Sequence, residues 1–178
     1  MLPMKAIAYW IVFAVTLAVY GTMLAWSLPT VAASAGGLTP FDMRPGGYSY
    51  AEAEAFLAVL TTEGAAFYRD VQLRLDIVYP PLLTVTVGWA IWWLLSPDWG
   101  FWRAFAVLPA VGSMVFDWME NNAINGLLQV GTAGLTEQMV SSASLYSQAK
   151  AMASTVSFLL LLLALAWWGV QRFRGRST

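Results

Sequence analysis

"FDWMENNAI", residues 116–124, sets two acids and two amides within six consecutive positions. The stretch decides the fold because it lies inside an apolar segment, residues 104–128. That segment exceeds the roughly 20 residues that cross a hydrocarbon core about 30 Å thick. A charged side chain facing lipid at mid-membrane costs at least ~2.5–3.5 kcal/mol. Asp117 and Glu120 therefore have to turn toward other protein, and the chain must supply further helices to receive them.

It does so at residues 6–28, 73–95 and 151–170, three more apolar stretches of spanning length. The expected fold is all-α: one domain, residues 1–178, forming an integral membrane four-helix bundle. Composition agrees, with 59% hydrophobic and 11% charged residues and a mean hydropathy of +0.63, far too apolar for a soluble domain of this size. Lys5 and a small-residue "ASA" at 33–35 also resemble a secretory signal. The apolar run is longer than the ~7–15 residues of a signal core, so an anchor is expected.

The same composition excludes several functions. A net charge of −1 offers no basic stripe to release counterions from a phosphate backbone, so no nucleic acid partner is expected. Without cysteine or histidine there is no thiolate or imidazole for a metal, a haem or a nucleophile, and acid–base chemistry falls to carboxylates, Lys and Tyr. Carboxylates with Asn could hold Ca²⁺ or Mg²⁺, but the motif lacks a loop of ligating carbonyls, so no metal is expected. No cofactor is specified.

Basic residues near the span ends orient the chain. Lys5, Arg103, Arg172, Arg174 and Arg176 place both termini in the cytoplasm, with the connections at about 29–72 and 129–150 on the outer side of a bacterial cytoplasmic membrane. The first outer connection carries Ser49 and, three residues on, Glu52, a capping-box pattern for a helix starting at Tyr50. Its apolar side, Ala53, Phe56, Leu57 and Leu60, predicts an amphipathic helical cap over the bundle. Pro80 and Pro81 predict a kink or loosening in the second span.

Positions three and four apart share a helix face. Ser113, Asp117, Glu120 and Asn121 form one stripe; Arg69, Gln72, Asp76 and Tyr79 a second; Tyr146, Lys150, Ser154 and Ser157 a third; Tyr9, Thr16 and Tyr20 a fourth. Asn122 points nearly opposite to the first stripe. Counting from Arg103, Glu120 lies roughly 25 Å across, in the outer third of the membrane. Turned inward, the stripes bring Asp76, Asp117, Glu120 and Lys150 together as a candidate acid–base set. Asn121, Tyr20, Tyr79, Tyr146, Arg69 and Arg74 are candidate ligand contacts, the two arginines also being possible ion partners of the acids.

The segments "FDMRPGGYSYAEAEAFL", "GAAFYRDVQLRLDIVYPPL", "LPAVGSMVFDWMENNAI" and "SQAKAMAS" resemble a group of small bacterial four-span proteins. That group has an F-D-x-x-P-x-G-Y segment, a Tyr-x(7)-Asp helix start, a D-x-x-E-N signature and a late Lys. The resemblance implies a shared architecture with Asp42, Tyr68, Asp76, Asp117, Glu120, Asn121 and Lys150 on motif positions; it carries no activity. The layout is also similar to sterol-isomerase and sigma-2-receptor-type four-helix membrane proteins. Two functions then compete: a pocket for an amphiphile such as a lipid, isoprenoid or quinone, with proton transfer open to it, or an accessory subunit docked to other membrane subunits. Ion passage is disfavoured, since the inner half offers only Tyr9, Thr16 and Ser157 as a path.

Overall fold

A computed structural model describes residues 4–174; Arg176 lies outside them. The described residues form five helices and no strand: α1 Met4–Ser34, α2 Tyr50–Val59, α3 Thr62–Leu94, α4 Trp102–Val130 and α5 Glu137–Arg174. Three of them, α1, α3 and α5, are long and apolar enough to cross a membrane. The four long helices pack in the order α1, α3, α4, α5, and α3 also touches α5.

The helices outlast their apolar windows. α1 continues past Pro29, through a widened π turn at Met23–Ser27 that absorbs the missing proline N–H. α3 starts at Thr62, and α5 starts at Glu137 rather than near 151, so most of the expected 129–150 connection is helix. The reason is packing. Val31, Phe41, Phe56, Tyr68, Ile124, Leu127, Val140 and Ala143 build a core that keeps these extensions folded. A smaller cluster of Val87, Ile91, Leu95, Ala110 and Ala164 closes the other end. On α3, α4 and α5 alike the buried face thus runs apolar, polar, apolar, which confines the ionisable side chains to one layer.

Thr16 and Thr86 exchange a hydroxyl hydrogen bond at 2.9 Å, and Ser27 Oγ donates to Gln72 Oε1 at 2.6 Å. These ties make α1 an integral member of the bundle. Ser49 and Glu52 form the capping box, and α2 buries Ala53 and Phe56 with Leu57 and Leu60 packed alongside.

α3 runs unbroken through Pro80 and Pro81, where a kink or loosening is expected from sequence. Each proline removes the N–H that would bond the carbonyl four residues earlier, here those of Asp76 and Ile77. Both carbonyls find donors on α4: Asn121 Nδ2 reaches Asp76 O at 3.0 Å and Trp118 Nε1 reaches Ile77 O at 3.2 Å. The cross-helix bonds replace the missing intrahelical ones and fix the register of α3 on α4.

Candidate functional site

The polar layer starts on α4, where Asp117 and Glu120 lie three residues apart and so face the same way. Glu120 is completely buried, Asp117 is 7% exposed, and Asp76 on α3 is 3% exposed. Lys150 on α5 is the cation they share: it pairs with Glu120 and stands 3.6 Å from Asp117 Oδ1. Ser147 Oγ donates to the other Glu120 oxygen. Ser113 and Ser154 are hydroxyl to hydroxyl at 2.6 Å, and Thr84 Oγ1 donates to Ala110 O at 3.0 Å, closing α4 against α5 and α3.

A fourth carboxylate arrives from outside the bundle. Asp42 sits on the 3₁₀ turn Phe41–Met43, whose Phe41 ring is buried against Tyr48, Phe56 and Tyr68. Arg44 holds Thr39 O and lies over the Phe41 and Tyr48 rings. Gly47, at φ +80°, lets the backbone press against Ser144 and Gln148, where a Cβ would collide; Tyr48 N then donates to Ser144 Oγ at 2.9 Å. So held, the turn brings Asp42 to the chamber with both carboxylate oxygens shut from solvent and without a hydrogen-bond partner. Its backbone N–H approaches the Tyr68 hydroxyl at 3.4 Å. Burial first, then the charges of Asp76 and Glu120, push the Asp42 carboxyl well above the usual range, against the pull of Lys150.

These groups line one end of a cavity of ≈ 300 Å³. Descending α3 from Asp76 through Tyr79 and Leu83 to Val87, about 16 Å, and α5 from Lys150 through Ser154 to Phe158, about 12 Å, the lining loses its ionisable groups and becomes apolar side chains interspersed with the hydroxyls of Thr84, Ser113, Ser154 and Ser157. α1 supplies Tyr20, Met23 and Leu24, and Tyr20 stacks on Tyr79 with ring centroids 5.3 Å apart. α1 packs along α3 and makes no comparable contact with α5. Tyr20, Leu24 and Phe158 are accordingly more than 40% exposed at the flank of the cavity.

Of the residues proposed from sequence, Asp76, Asp117, Lys150, Tyr20 and Tyr79 line this chamber, and Glu120 lies behind them as the partner of Lys150. Asn121 instead spends its amide on the Asp76 carbonyl. Arg69 and Arg74 do not reach the acids: Arg69 pairs with Asp70 at 3.5 Å, and both arginines line a separate groove on the outer side of α3 and α4. Arg74, two residues from both Gln72 and Asp76, falls on the opposite face of α3 from those buried side chains, and Arg69, which shares their face in a regular α-helix, is displaced by the π turn Tyr68–Gln72. Tyr146 is half-buried and does not line the chamber. Lys150 lies well inside α5 rather than at its start. Ser147, not among the residues proposed from sequence, sits three residues before Lys150 on the same face, the signal that marks it. Among the described residues no group of three carboxylates is placed to hold a metal ion.

Fold and site together define an all-helical, multi-pass membrane protein with an ionisable cluster buried between its helices. Comparison with known families, curated proteins and solved structures gives no match.

Proposed function

We propose that α1, α3, α4 and α5 all cross a bacterial cytoplasmic membrane, with α2 and the Asp42 turn as an outer cap, and that the chamber binds an amphiphilic small molecule: a lipid, isoprenoid or quinone. Depth supports the crossing. Asp76, Asp117, Glu120 and Lys150 each stand roughly 14–17 residues, or about 21–25 Å, from Trp92, Arg103 and Trp167 at the other end. Those residues, with Lys5, mark the cytoplasmic edge by their positive charge and tryptophan belt.

The observation that carries the binding reading is the shape of the lining: ionisable at one end, uncharged and mixed hydroxyl and apolar toward Val87 about 16 Å away, and open sideways between α1 and α5. A molecule with a polar head and an apolar tail entering from the outer leaflet matches that gradient, and the volume lies at the small end of ligand pockets. Four carboxylates face one lysine, so acceptors outnumber the single cationic donor at the head's end of the chamber. Lys150 beside Asp117 also sets a proton donor against an acceptor where the head would lie, the pair that proton transfer needs.

Mass spectrometry of the organic extract of purified protein tests this. One amphiphile at near-stoichiometric level, lost in Asp117→Asn and Asp76→Asn, is expected. Extracts without it, together with stable co-migration of other membrane subunits that tolerates both substitutions, would establish the accessory role instead.

A further inference from the structure

Opposite the chamber, the outer face of α4 carries a second polar stripe that the amphiphile pocket does not use. Trp118, Asn122, Asn125 and Gln129 recur at intervals of three and four residues, and α3 lays Arg69 and Arg74 beside them. Together they line a groove of ≈ 550 Å³. Asn122, Gln129, Arg69 and Arg74 are exposed. Trp118 is fixed as one wall by its bond to the Ile77 carbonyl.

Exposed carboxamides on a spanning helix are costly wherever they meet lipid tails. Their depth resolves the conflict. Counted from Arg103, Asn122 lies about 28 Å and Gln129 about 39 Å along α4. Counted from Trp92, Arg74 and Arg69 lie about 27 and 35 Å along α3. With a hydrocarbon core of about 30 Å and headgroup layers beyond it, the groove begins where tails end and runs through the level of the phosphates. Its donors suit that level. Two guanidiniums, one of them shared with Asp70 at 3.5 Å, leave a net positive charge, and guanidinium is the side chain best matched to phosphate oxygens. Asn122, Asn125 and Gln129 add neutral N–H donors, while Trp118 and Ile77 offer apolar walls to the first part of an acyl chain.

We propose that this groove binds the phosphate of a phospholipid in the cap-side leaflet. The proposal rests on α4 crossing the membrane and not on the chamber being occupied. Arg69 and Arg74 hold the phosphate from α3, and the α4 carboxamides complete its hydrogen bonding.

Native mass spectrometry of the whole protein, released from micelles containing either phosphatidylglycerol or a diacylglycerol of the same chains, provides the test. Wild type is expected to retain phosphatidylglycerol and not diacylglycerol. Arg69→Gln/Arg74→Gln is expected to lower retention at least about tenfold, the loss of one charge-assisted bond or more. Both side chains are exposed, so the variant should keep its helical circular dichroism. Asp117→Asn, a chamber change, should retain the phospholipid. Equal retention by the double variant, or equal retention of diacylglycerol, overturns the proposal. Displacement by inorganic phosphate at the same concentration would assign the groove to free phosphate, and a polypeptide lost on double substitution would assign it to a partner; either removes the lipid.

Discussion

Asn121→Leu tests how α3 is held in register. The amide of Asn121 is the replacement donor for the Asp76 carbonyl, orphaned by Pro80, and the contact is buried at 3.0 Å. Interhelical side-chain bonds in membrane proteins average ~0.6 kcal/mol because separated helices find other partners. Here the separated helix has no intrahelical donor either, so the bond should approach its upper range of about 1–2 kcal/mol, a five- to thirtyfold change in equilibrium constant. The decisive comparison is the same substitution made in a Pro80→Ala background. Alanine restores the N–H of residue 80 to the Asp76 carbonyl, so Asn121→Leu should then cost less than about 0.5 kcal/mol. Whatever Pro80→Ala does by itself cancels in this double-mutant cycle. Unfolding in mixed micelles at increasing detergent strength, followed by circular dichroism, measures all four proteins. An equal cost for Asn121→Leu in both backgrounds would refute the exchange of donors.

Three further outcomes follow from the same geometry. Lys150→Met strands Glu120, which has no exposed surface, together with Asp117, and should destabilise by about 3–5 kcal/mol on the same unfolding scale, with Glu120→Gln/Lys150→Met regaining part of it. Asp42 has a folded-state pKa above its unfolded one, so the native protein binds the extra proton. Stability should fall as pH rises from the ordinary aspartate value of about 4 toward the raised folded value, and Asp42→Asn should flatten that slope in unfolding measured from pH 4 upward. Gly47→Ala forces an alanine to φ +80° and drives its Cβ into Ser144 and Gln148; a loss of at least about 1 kcal/mol, seen as faster proteolysis between residues 36 and 50, is expected.

The apolar windows and their polar stripes made α1, α3, α4 and α5 legible, because the 3.6-residue period and the cost of charge in lipid both act locally along one helix. The capping box at Ser49 and Glu52 was equally local. What escaped was set by contacts between segments distant in sequence. The early start of α5 depends on a core assembled with Phe41, Phe56 and Tyr68, which no window over residues 129–150 contains. Asp42 enters the chamber only because Gly47 and Ser144 hold its turn, so its motif position signalled importance without location. Charge complementarity alone pairs Arg74 with the acids, but it lies on the other helix face, and the stripe that joins Arg69 to Asp76 assumes a regular 3.6-residue period that the π turn Tyr68–Gln72 interrupts. The prolines were read for the bonds they remove, whereas Asn121 and Trp118 supply replacements from another helix.

A density map of the protein purified in its native lipid offers the most direct test of the chamber. An elongated non-protein feature is expected between α1 and α5, its head beside Asp76, Asp117 and Lys150 and its tail passing Val87 toward Phe158. A chamber holding only ordered water, with the flank between α1 and α5 closed by side chains, would contradict the account.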